Sequence, residues 1–108
     1  MKKASHVVSV WNKKELIGII RSVGDSKWSE NIDCLIVKPE YQNQGIGSIL
    51  LNTLLNELTT CRYINVCPDD KDVLKFYEKF NFKIVEGFYL QRINKDSSAD
   101  LRSKLRNK

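Results

Sequence analysis

Cysteine, proline and histidine are scarce in this chain of 108 residues, which has three Cys, two Pro and one His. Cys34, Cys61 and Cys67 are odd in number and lack paired metal-ligand spacing. Neither a disulfide framework nor a bound metal is therefore expected. Cys34 and Cys67 fall inside apolar, strand-like runs, where a thiol behaves as a small buried hydrophobe. Free thiols of this kind suit a reducing, cytoplasmic compartment. No stretch approaches the roughly 20 apolar residues that a membrane-spanning helix needs. The basic start, Met1-Lys2-Lys3, is followed by no apolar segment and does not read as a secretion signal. The sole histidine, His6, stands near the N-terminus and is assigned no role.

What is present describes one folded domain. Apolar residues make up 42% of the chain and charged residues 29%, a balance that supports a core rather than disorder. A domain of this size buries somewhat more than roughly 60% of its unfolded surface, enough to stand without a metal or disulfide. The net charge of +5 invites a nucleic-acid reading. Most of the excess lies at one end, because residues 94–108 carry five Lys or Arg against two Asp. The expected organisation is a domain over residues 1–93 and a solvated basic polar tail over 94–108.

Hydrophobic periodicity orders the elements. Strands are expected over 6–11, 16–23 and from about 28 or 32 to 37, where Pro39 breaks the ladder. The segment 45–58 is the clearest helix, with Ile46, Ile49, Leu50, Leu54 and Leu58 at helical spacing and Leu51 and Leu55 widening the stripe. Residues 63–66 read as a short buried strand. Residues 72–80 read as a second helix with Val73, Phe76, Tyr77 and Phe80 on one face. Its expected stop is Asn81, in the left-handed conformation common at helix ends. Residues 82–85 and 88–93 close the order as a hairpin. The first three strands and the last two should pair antiparallel, and the strands flanking the long helix should run parallel. The fold class is α/β, of the α+β type with a mixed sheet.

One junction in this order carries chemistry. The strand ending at Val37 turns through Gln42-Asn43-Gln44-Gly45-Ile46-Gly47-Ser48 into the long helix. Backbone N–H groups gathered at the positive end of a helix dipole suit a phosphate or pyrophosphate. Gly45 and Gly47 let a ligand approach the chain closely. A Walker loop would end in Gly-Lys-Ser/Thr, but Ser48 follows Gly47 directly. A dinucleotide fingerprint would have a third glycine at position 50, which is Leu.

The stretch from Leu35 to Leu51 resembles motif A of the GNAT acyltransferase superfamily, whose core is Gln/Arg-x-x-Gly-x-Gly/Ala, here Gln42-x-x-Gly45-x-Gly47. Further on, Val73-Leu-Lys-Phe-Tyr-Glu-Lys-Phe-Asn-Phe82 is similar to that family's motif B. The resemblance extends from about Val7 to Ile93. It implies an acyl-coenzyme A N-acyltransferase fold and acetyl-coenzyme A as cosubstrate. The pantetheine arm would lie along Leu35, Ile36 and Val37, and the pyrophosphate on the N–H groups from Gln42 to Ser48. It implies Tyr77 as the general acid for a leaving thiolate, with Asp33 as a candidate base and Glu30 as a second. By strand alternation Asp33 should share a face with Leu35 and Val37.

Family members normally begin with a strand and two helices, which this chain is expected to lack, leaving the acceptor side open. That opening leaves room for a homodimer. Asp69-Asp70 stands where many members have Asn and would attract a cationic amine. The expected activity is transfer of an acetyl group to a small-molecule or peptide amine by direct attack in a ternary complex. A coenzyme A-binding module without catalysis and a nucleic-acid-binding protein acting through the basic tail are the alternatives.

Overall fold

The computed structural model describes residues 4–94, apart from 26, 69 and 88. The expected tail, Asp69 of the acidic pair and Phe88 of the closing hairpin therefore lie outside the described residues. Strands β1 (Ala4–Asn12), β2 (Glu15–Gly24) and β3 (Ser29–Val37) come first. A short 3-10 turn (Pro39–Tyr41) leads into α1 (Ile46–Glu57). Strand β4 (Tyr63–Val66), helix α2 (Lys71–Glu78) and strands β5 (Lys83–Glu86) and β6 (Tyr89–Ile93) complete the order. The six strands form one sheet in the order β1-β2-β3-β4-β6-β5. Only the β3–β4 pair is parallel, joined through α1, and every other pair is antiparallel.

The hairpin turns follow from local chemistry. Lys13 takes a positive φ of 55° between β1 and β2. Asp25 accepts backbone N–H bonds from Lys27, Trp28 and Ser29 at 2.7 to 3.1 Å, which closes the turn before β3. Asn81 adopts φ 70° after α2, as its side chain permits.

Both helices pack on the same face of the sheet. Leu50, Leu51, Leu54, Leu55 and Leu58 of the α1 segment meet Ile20, Ile32, Ile64, Val66 and Leu90 of the strands in one buried cluster with Tyr77 and Phe82. Gly18 makes room for the helix: a Cβ there would stand 3.1 Å from the Leu50 side chain and 3.2 Å from the Ile36 carbonyl. Ile49, expected on the buried stripe, is instead 57% exposed. The sheet covers only part of the circumference of α1, so the flank of a wide stripe faces out. Among the described residues no helix lies on the opposite face of the sheet.

One irregularity resets the pattern of β3. Arg21 pairs with Cys34 and Ser22 with Ile32, so Asp33 is an extra residue, a β-bulge. Ile32 is buried before the bulge, and Leu35 and Val37 pack against the core after it. Asp33 therefore does not share their face. It turns to Arg21, whose neighbour Ile20 is buried on the other side. Cys67 was also expected to be buried, yet it is exposed, because β4 ends at Val66 and leaves it beyond the core.

A cleft between diverging strands

Strands β3 and β4 begin side by side and then part. Their pairing runs from Ser29 with Tyr63 to Ile32 with Val66, and stops there. Strand β3 continues to Val37, while the chain after β4 turns away through Pro68 into α2. Residues 33–37 therefore have no strand partner on the β4 side, and a wedge opens between the two strands. Two neighbouring hollows lie along it. One, of about 390 Å³, is bordered by Asp33, Leu35, Cys67, Asp70 and Tyr77. The other, of about 820 Å³, is bordered by Leu35, Val37, Gln42, Gly45, Gly47 and Phe76. Leu35 and Val73 line both.

The turn before α1 forms the outer wall of the larger hollow. Gln42 donates its side-chain amide to the Val37 carbonyl at 2.9 Å, tying the turn back to the end of β3. Gln44 does the same to Glu40 at 3.3 Å. These side chains shape the turn. Asn43 and Gly45 take positive φ of 65° and 84°, and Gly45 is the N-cap of α1. A glycine cap offers no side-chain oxygen, and the first turn contains no acidic residue. The opening N–H groups of any helix have no intrahelical acceptor, so those of Ile46, Gly47 and Ser48 retain their donor capacity at the rim of the hollow. Gly45 has open space where a Cβ would be, so it serves the φ value. Gly47 would place a Cβ in ordinary contact with the Phe76 ring at 3.6 Å.

Tyr77 joins the inner hollow from α2. It is only 2% exposed and is held edge-on between Phe76 and Phe82, each at 5.3 Å between ring centroids. Among the described residues its hydroxyl has no hydrogen-bond partner. Burial, with a lesser contribution from nearby Cys34, pushes its pKa up to about 12. The group thus keeps its proton throughout the neutral range.

The carboxylates divide differently from the sequence expectation. Asp33 borders the inner hollow, but its oxygens receive Arg21 Nε at 3.1 Å and a terminal guanidinium nitrogen at 2.5 Å. That hydrogen-bonded guanidinium holds the Asp33 carboxyl below its usual range and makes it a poorer base. Glu30 is fully buried away from the wedge, where it accepts from Ser22 Oγ at 2.8 Å and lies 3.3 Å from His6 Nδ1. Asp70, by contrast, borders the inner hollow while capping α2 through the Asp72 N–H at 3.0 Å. Another hollow, of about 760 Å³, runs beside the C-terminal half of α1. It contains none of the expected site residues.

Comparison with known proteins places this arrangement among acetyltransferases. Residues 3–84 match the model of the acetyltransferase (GNAT) domain. The chain is 25% identical over 87 residues to an uncharacterized N-acetyltransferase, ycf52, of Pyropia yezoensis, covering 76% of this chain and 50% of that protein. It is 32% identical over 80 residues to the peptidyl-lysine N-acetyltransferase YjaB of Salmonella typhimurium, covering 71% of this chain and 49% of that protein. The crystal structure of the paiA N-acetyltransferase of Thermoplasma acidophilum in complex with coenzyme A shares the fold. Its TM-score is 0.68 at 22% identity, over 82% of this chain and 60% of that one. The chain spans about half or less of the length of the first curated relatives it matches.

The Tyr77 environment makes a direct prediction. The difference in ultraviolet absorbance titration between the native protein and Tyr77→Phe should be a single phenol step near pH 12. Because the folded pKa is raised, the stability linked to this group is intact below the ordinary tyrosine value. It is lost as pH climbs to about 12, and Tyr77→Phe should remove that part of the alkaline decline.

Proposed function

The chain belongs to the GNAT acetyltransferase family, and from that premise we propose that it transfers an acetyl group from acetyl-coenzyme A to a primary amine. The observation that carries the reading is the parting of β3 from β4 after Ile32 and Val66. It brings an unpaired strand edge, the N-terminus of a 12-residue helix and a buried tyrosine hydroxyl to one cleft. An extended polar arm suits the open edge at Leu35, Ile36 and Val37, and a pyrophosphate suits the turn from Gln42 to Ser48. Gln42, Asn43 and Gln44 act through the shape of that turn. Gly45, Ile46, Gly47 and Ser48 present backbone to the ligand.

Acetyl-coenzyme A, when bound, supplies an acetyl group activated as a thioester. The residues of the chain orient and protonate. The Tyr77 hydroxyl holds a proton for the departing sulfur, so that the leaving group departs as a thiol. Desolvation weakens the phenol as an acid but also makes a thiolate in the same cavity more basic. The two effects largely offset, and the transfer rests on the proximity of the hydroxyl to the sulfur. Asp33, committed to Arg21, is a weak acceptor for the amine's proton, and water entering the open inner hollow takes that part. The Asp70 carboxylate at the border favours a cationic amine, whereas the charge of Asp33 is offset by Arg21. A small-molecule amine or a peptide lysine fits, the latter being the acceptor class named for YjaB. Direct attack in a ternary complex needs no covalent enzyme intermediate, and exposed Cys67 is left without a role in it. Three free thiols fit a reducing compartment such as the cytoplasm.

Three substitutions test the parts separately. Gly47→Glu should leave thermal stability unchanged, since its Cβ site is free of clash and an acidic residue suits a helix N-terminus. It should weaken coenzyme A binding by calorimetry about a hundredfold through like-charge repulsion. An unchanged affinity would remove the phosphate assignment. In a thioester-turnover assay, Tyr77→Phe should lower kcat about a hundredfold with little change in the KM for acetyl-coenzyme A. Tight binding of coenzyme A, no turnover with a panel of amines and no effect of Tyr77→Phe would instead identify a binding module. Asp70→Asn keeps the helix cap and removes the charge. It should raise the amine KM about fivefold, and an unchanged KM would exclude Asp70 from acceptor recognition.

A further inference from the structure

The two edges of the sheet are built in opposite ways. Strand β5 is four residues long, carries Lys83 and Glu86, and holds an extra residue, Val85, opposite β6. Shortness, charge and a bulge are the usual means by which an edge strand avoids pairing with another chain. Strand β1, the other edge among the described residues, has none of them. Its nine residues, Ala-Ser-His-Val-Val-Ser-Val-Trp-Asn, include no Pro, Lys, Arg, Asp or Glu. The register shift between β1 and β2 puts the extra residue, Ile17, on β2, so β1 itself stays regular.

We propose that β1 is an interaction surface whose partner is β1 of a second copy of this chain, paired antiparallel about a two-fold axis. The strand is self-complementary for this purpose. The register of greatest overlap is centred on Val8, the middle of the strand. Val7 then lies opposite Ser9 of the second copy, and His6 opposite Val10, with no like charges facing each other anywhere along the pair. A two-fold axis normal to the sheet keeps the faces in phase. Val8 and Val10 of both copies continue the helix-covered side, where they already pack against the core. Val7 and Trp11, both more than half exposed in the single chain, continue the open side. The result is an isologous dimer with one unbroken sheet and all four helices on one face. The outward N–H and C=O groups of β1, which no other described strand pairs, are satisfied in the contact, and the edges left among the described residues are the two guarded β5 strands.

The test is sedimentation velocity across a dilution series, combined with two double variants. The native protein should show a concentration-dependent species of twice 12.5 kDa. Val7→Glu with Ser9→Glu puts like charges opposite each other twice and should raise the dimer dissociation constant about tenfold or more. Val7→Glu with Ser9→Lys pairs opposite charges in the same register and should retain the dimer. Hydrogen exchange in the native protein supplies an independent readout, because the outward amides of β1 should gain protection as concentration rises. A monomer throughout the series would overturn the proposal. So would a dimer indifferent to the Glu/Glu variant, a dimer lost equally in both variants, or β1 amides unprotected at concentrations where the dimer forms.

Discussion

A parallel pair of strands that stays together for only four residues governs the rest of this molecule. Where β3 and β4 separate, backbone groups of β3 are left without a ladder partner, and such groups must find another polar partner. Two local features produce the separation. The bulge at Asp33 changes the course of β3 directly after its last pairing with β4. Pro68, two residues beyond the end of β4, cannot donate to a ladder and turns the chain into α2. The wedge is therefore a product of strand chemistry, and the cofactor site proposed above depends on it.

The wedge also explains why Tyr77 belongs to the core and to the cleft at once. Its ring is an ordinary core aromatic between Phe76 and Phe82. Its hydroxyl has no hydrogen-bond partner among the described residues, and the residue borders the cavity that the strands leave open. Rigid packing of the ring fixes where the proton is held, and desolvation keeps it there. Packing and chemistry are the same interaction seen from two ends of the side chain.

Much of this was legible in the sequence. The turn from Gln42 to Ser48 announced itself because glycine spacing and a helical stripe are local signals. Tyr63–Val66 was bounded correctly because Pro68 and the apolar run leave little choice. Asn81 was legible as a left-handed stop. The misplacements share one cause. Ile49, Cys67 and Asp33 each have a suitable periodic position, but their exposure depends on what lies across from them. A bulge cannot be read from alternation, since a single extra residue reverses the face of everything beyond it. The pairing of Asp33 with Arg21 was hidden for the same reason, because it joins two strands across a hairpin.

The sequence by itself determined the order of the elements, the glycine turn and the identity of the hydroxyl and carboxylate groups available. Those properties rest on interactions between residues a few positions apart, which composition and spacing encode. Tertiary structure decided how far β3 and β4 run together, which carboxylates are free and which are committed, and which edge of the sheet is guarded. Those properties arise from registers between strands distant in the chain, and a shift of one residue is enough to change each of them.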